Sequence, residues 1–141
     1  MKYFIDGISR EKWHQNMQLY WENFNRIKNR LSTQMIEIFL SDYLHDSEIT
    51  SINFLKVTNK KRNVYNLTLY LKNEEFEGGI VHYDVIKYTN SFSNSLDFGY
   101  PCEYLYGEVL YEDELWSHNI RYTENNELSI HCKSIDWIAN S

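Results

Sequence analysis

Across Leu44-His45-Asp46-Ser47-Glu48-Ile49 the hydrophobic period of the chain changes from that of a helix to that of a strand, and it changes only once. Before this point Trp13, Met17, Tyr20, Phe24, Ile27 and Leu31 recur four and three residues apart. That spacing is one stripe of a helix of about 20 residues, with Ser9 placed to cap it. Ile36, Phe39, Leu40 and Tyr43 repeat the spacing in a shorter helix, capped by Ser32 or Thr33 and expected to end near Leu44. After the change, Tyr65, Leu67, Leu69 and Leu71 alternate with Asn66, Thr68, Tyr70 and Lys72, the pattern of a half-buried strand.

Five further segments read as strands, over residues 48–57, 80–88, 103–111, 115–123 and 127–137, separated by polar, Gly- or Asn-containing turns. The first joins the Tyr65–Leu71 strand through the basic segment 58–63, which has hairpin length. Residues 89–101 form a long polar stretch expected to be a loop, and loops of that length are often functional or mobile. Helices segregated from strands imply one α+β domain over residues 1–141, with two amino-terminal helices packed on a curled, mainly antiparallel sheet of about six strands. There is no βαβ rhythm and no glycine-rich phosphate loop, which argues against doubly wound nucleotide-binding folds.

Composition agrees with a sheet carrying much ring surface: 7 Phe, 12 Tyr and 4 Trp occur beside a single Pro. No apolar run approaches the roughly 18 residues of a membrane span, and the opening MKYFIDGISREKWH lacks the apolar core and cleavage site of a signal peptide, so a cytoplasmic address is expected. In that compartment Cys102 and Cys132 read as reduced packing residues, and the Asn66-Leu67-Thr68 sequon carries no meaning. The formal charge of −6 is unevenly spread: residues 1–62 hold ten Lys/Arg against seven Asp/Glu, residues 63–141 four against thirteen. An acidic second part repels polyanions, so nucleic acid is not an expected partner and a basic protein is.

Two places carry candidate chemistry. His45 and Asp46 form a His-Asp dipeptide of the kind that supplies metal ligands in helical hydrolases, although the same residues also suit a helix-to-strand junction. His118 shares the apolar face of Trp116, Ile120 and Tyr122 and should point inward, where it needs a partner: backbone, a tyrosine, or His45, Asp46 or Asp136. A His45/Asp46/His118 cluster would suit a metal-assisted hydrolase. His82 and His131 alternate with apolar neighbours and are expected to face solvent. No Gly-x-Ser-x-Gly elbow occurs, Cys102 has no sequence-level base, and no cofactor or resident metal is expected.

The other candidate is a surface: Tyr100, Glu103, Tyr104, Tyr106, Glu108, Tyr111, Glu112, Asp113 and Glu114 combine rings with carboxylates, a composition suited to a basic protein partner, although half of the rings in a regular strand must point into the core.

MKYF, LHDSEI and the closing ELWSHNIRYTENNELSIHCKSIDW resemble uncharacterised small proteins of Bacillus-type bacteria, kept as domains of unknown function. In these an LHD followed by an apolar position opens the sheet and a late Trp/Phe-x-His-x-Ile strand precedes a hairpin, which singles out His45, Asp46, His118 and Ile120 here. The resemblance implies no activity. Proteins of similar size and pattern are similar to immunity proteins that neutralise toxins, which implies a non-catalytic binding role by analogy alone.

Overall fold

The computed structural model describes residues 1–41, 43–59, 62–91, 102–123 and 126–139. The expected loop beyond Ser91, with Tyr100, lies outside them, as does the Lys60-Lys61 tip. Helix α1 spans Arg10–Ile27, opened by the Ser9 hydroxyl accepting from the Lys12 amide at 3.2 Å, and it tightens into a 3-10 turn at Lys28–Arg30. Helix α2 spans Thr33–Leu40, shorter than the apolar spacing suggests. Ser41 ends it, because its backbone is extended and its hydroxyl donates to the Ile38 carbonyl at 2.8 Å. Ser32 caps α2 and also donates to Asp136 at 2.7 Å, tying the helix to the last strand. No helix among the described residues is long and apolar enough to cross a membrane.

Eight antiparallel strands follow: β1 Ser47–Asn59, β2 Arg62–Lys72, β3 Glu77–Tyr83, β4 Lys87–Asn90, β5 Glu103–Glu112, β6 Leu115–Tyr122, β7 Asn126–Cys132 and β8 Ser134–Ala139, in the order β4-β7-β6-β5-β1-β2-β3-β8. The count is eight and not six because two of the expected strands are each broken. Asp84, at φ 56°, begins the break between β3 and β4, and Lys133 alone separates β7 from β8. Hydrogen bonds bridge both breaks, from Lys133 N–H to the Tyr83 carbonyl at 3.0 Å and from Ile86 N–H to the His131 carbonyl at 2.8 Å. Side chains from both halves of the strand order therefore meet in one core, with Leu67, Leu69 and Ile80 from one half and Val109, Ile120 and Ile130 from the other.

Phe24, Met35, Ile38 and Phe39 close that core from the helical side. Tyr20, one turn before Phe24, instead joins Phe4 and Leu110 in a smaller cluster, so α1 straddles the margin of β5. Of the residues beside the helical stripe, Trp21 packs against both clusters, whereas Leu19 stays half exposed.

Strands β1 and β5 touch over very little of their length. Ser47 pairs with Tyr104 and Glu48 with Glu103, after which the two strands leave each other in opposite directions. This divergence decides where the candidate residues go.

Candidate functional site

The junction read as LHDSEI is built to turn the chain. Asp46 takes φ 63°, a left-handed conformation that Asp tolerates better than most residues, and its amide donates to the Tyr104 carbonyl at 2.8 Å. Buried Ser47 donates from its hydroxyl to the Leu44 carbonyl at 2.7 Å. In β5 the register slips between Tyr104 and Tyr106, and the carbonyl of the extra residue, Leu105, takes a partner from outside the strand. His45 supplies it: Nδ1 donates to that carbonyl at 2.6 Å, leaving Nε2 3.5 Å from Asp46 in an exposed position.

His118 lies elsewhere. It is fully buried, and both ring nitrogens are engaged: Nδ1 is 2.8 Å from His82 Nε2, and Nε2 is 3.0 Å from the Tyr104 hydroxyl. The expectation that His45, Asp46 and His118 form one cluster is therefore corrected: His118 meets neither of the others, and Asp136 binds Ser32 instead. Among the described residues no group of three or more His, Cys, Asp and Glu side chains is arranged to hold a metal ion.

The buried chain of groups has a fixed direction. His82 Nδ1 is 3.1 Å from the Leu67 carbonyl, which only accepts, so that nitrogen carries the hydrogen and Nε2 is free to accept. His118 Nδ1–H then donates to His82, and the Tyr104 O–H donates to His118 Nε2. Every polar atom in the series is satisfied with all three side chains neutral. Burial enforces that state: it lowers the His82 pKa to about 4, holds His118 well below the ordinary imidazole value with help from neighbouring His82, and pushes the Tyr104 phenol well above its ordinary value. Phe39 meets the His118 ring edge-on at 5.6 Å. A Cβ at Gly107 would collide with the Tyr104 hydroxyl, so any larger residue there would push that ring away from His118. The arrangement binds strands β2, β3, β5 and β6 together and is buried from solvent.

His82 was expected to face solvent and is instead fully buried. Strand β3 is covered on both faces from Gly78 to His82, so the alternation on which that expectation rests does not exist there. Of the acidic, tyrosine-rich surface, Tyr104 and Glu108 also turn out to be interior. Glu108 is fully buried and accepts from the amides of Lys2 at 2.6 Å, Tyr3 at 2.9 Å and Phe4 at 3.4 Å, and from the Asn119 side chain at 3.3 Å. It fastens the amino-terminal segment to the sheet.

The remaining described members of that surface are exposed or partly so. Tyr106 stacks on Phe4 at 6.0 Å beside Trp13 and the His45 ring. Tyr111 lies under the Arg30 guanidinium at 4.4 Å and against Trp116. Glu112 pairs loosely with Lys2 at 3.5 Å, both well exposed. Asp113 and Glu114 form the exposed two-residue turn between β5 and β6, at φ 54° and 63°.

No protein-family model, no curated protein and no solved structure matches the chain.

Proposed function

We propose that the chain is a non-catalytic protein-binding domain, of the immunity-inhibitor type, that presents the end of the β5–β6 hairpin to a basic protein. The observation that carries this reading is the turn itself. A two-residue hairpin turn with both central φ values positive favours Asn-Gly or Asp-Gly, yet Asp113 is followed here by Glu114, for which φ 63° costs roughly 1–2 kcal/mol. A residue kept in a costly conformation at an exposed tip is a candidate for recognition. With Glu112 the tip offers three consecutive carboxylates, flanked by Tyr111, whose ring brings contact area at small entropic cost.

The His82 and His118 imidazoles and the Tyr104 hydroxyl are meanwhile committed to one another in the interior, which favours the surface as the place where this protein meets its partner. Pull-down from native extract with elution by salt tests the reading. A basic protein should be retained by the wild type and lost from the variant carrying Glu112→Lys, Asp113→Lys and Glu114→Lys. Retention unchanged in that variant, or no basic protein retained by the wild type, overturns it.

A further inference from the structure

The second hairpin, β1–β2, has the opposite character. Beyond Ile49, β1 pairs with β2 alone among the described residues, so its outer edge carries backbone donors and acceptors at strand spacing. Both faces of this arm are exposed: Phe54 is 50% accessible, Leu55 63% and Val57 40%, with Tyr65 on β2 at 45%. From residue 49 to residue 73 the chain contains five Lys and Arg and no Asp or Glu, in a protein whose formal charge is −6; Lys56 is the one on β1, and Arg62 on β2 pairs with Asp84 at 3.7 Å.

We propose that the outer edge of β1, over residues 51–58, takes up an extended, acidic segment of another polypeptide as an additional strand. The backbone edge favours a polypeptide over a nucleic acid or an anionic membrane. Those would neutralise the cations but leave the N–H and C=O row unpaired, whereas an added strand satisfies both. The charge disfavours a second copy through the same edge, since that would set two cationic arms side by side.

Register gives the pattern of the incoming segment. Lys56 faces Tyr65 across the hairpin and shares its face with Phe54, while Leu55 shares the opposite face with Val57 and Val64. Carboxylates are therefore expected at alternate positions, on the Lys56 face, and β-branched apolar residues between them on the Leu55 face. This site is distinct in place and in sign from the acidic tip of β5–β6 and does not depend on that reading.

A labelled peptide of about ten residues alternating Glu and Val is the probe, followed by fluorescence anisotropy at about 50 mM salt. Binding is expected, weakened about tenfold or more by Lys56→Glu and by raising salt to about 300 mM. Hydrogen exchange should show amides within residues 51–58 unprotected on the outer edge in the free protein and protected once the peptide binds. Three results overturn the proposal: outer-edge amides already protected in the free protein, equal binding to the charge-reversed variant, or binding of single-stranded DNA or anionic vesicles without binding of the peptide. The wild-type exchange measurement decides the first of these whether or not the variant folds.

Discussion

The edges of β1 and β5 are released from one short contact, beyond Ile49 on β1 and beyond Tyr104 on β5, and the chain treats them in opposite ways. The β5 edge is closed by side chains: His45 donates to the Leu105 carbonyl at 2.6 Å, and the Tyr20 hydroxyl accepts from the Val109 amide at 3.1 Å. Helix α1 and the amino-terminal segment then pack over it through Tyr20, Phe4 and Leu110. The β1 edge receives no comparable backbone cover from the described residues; Leu55 and Val57 face outward, whereas Ile52 packs on the core and Phe54 meets the Tyr88 ring of β4 at 5.0 Å. An edge strand invites pairing unless something blunts it, so a protein that guards one edge with a helix, a histidine and a tyrosine while leaving the other, with Lys56, open among the described residues has distinguished them. His45, the most conspicuous residue of the sequence, belongs to the guard.

The largest effect that tests this contrast is in packing. Ile120→Ala, in the fully buried middle of β6, is expected to cost about 2–5 kcal/mol, whereas Leu55→Ala, mostly exposed on β1, should stay within about 0.5 kcal/mol. Chemical denaturation of both variants measures the difference. Equal costs would mean that the β1–β2 arm is packed against something in solution, and the free-edge argument would fail with it.

Acid should act next, and on the buried side only. His82 and His118 have folded pKa values below the unfolded value of about 6.5, so above that pH neither state binds the proton and the relay contributes in full. As pH falls from about 6.5 towards 4 the unfolded chain takes up protons that the folded chain refuses, and stability drops. The loss attributable to His82 approaches about 3 kcal/mol at the end of that window, and His118 adds to it with the same sign. Urea midpoints taken between pH 7 and 5, before most carboxylates titrate, isolate the effect. His82→Gln, whose amide can still accept from His118 and donate to Leu67, should roughly halve the slope. A flat profile in the wild type would show that the imidazoles are not buried neutral.

Tyr104→Phe probes the same chain of groups more gently. It removes the hydroxyl that satisfies His118 Nε2 while keeping the ring beside Gly107, and thermal melting should report a loss of about 1–3 kcal/mol. No change would mean that His118 finds another donor.

The interior of this molecule illustrates what a sequence discloses and what it withholds. Leu67, Leu69 and Leu71 were legible as core because β2 has one wet face and one dry one, and His118 was legible as inward for the same reason. His82 was not, because β3 is covered on both sides and its residues lose the alternation that reports a face. Tyr104 and Tyr106 share a face in any unbroken strand. The bulge at Leu105 separates them, sending one into the relay and the other to the rim. Glu108 is the hardest case: its partners are the amides of Lys2, Tyr3 and Phe4, more than 100 residues away, and nothing near it in sequence announces them. At the turn of Asp113 and Glu114, by contrast, exposure follows from local chemistry alone.

The smallest effect is the one that bears most directly on function. At φ 63° Glu114 carries a steric cost that glycine lacks, while glycine also makes the unfolded chain more flexible, at roughly 0.4–1 kcal/mol against folding. The first effect is the larger, so Glu114→Gly should stabilise the protein by about 0.5–1 kcal/mol and raise its melting temperature. The same substitution removes one of three carboxylates at the tip and should weaken retention of a basic partner, most visibly at low salt. A gain in stability joined to a loss in binding is the pattern expected where a strained residue is kept for recognition. If Glu114→Gly instead destabilises the fold, the turn is not strained and the reason for placing recognition there disappears.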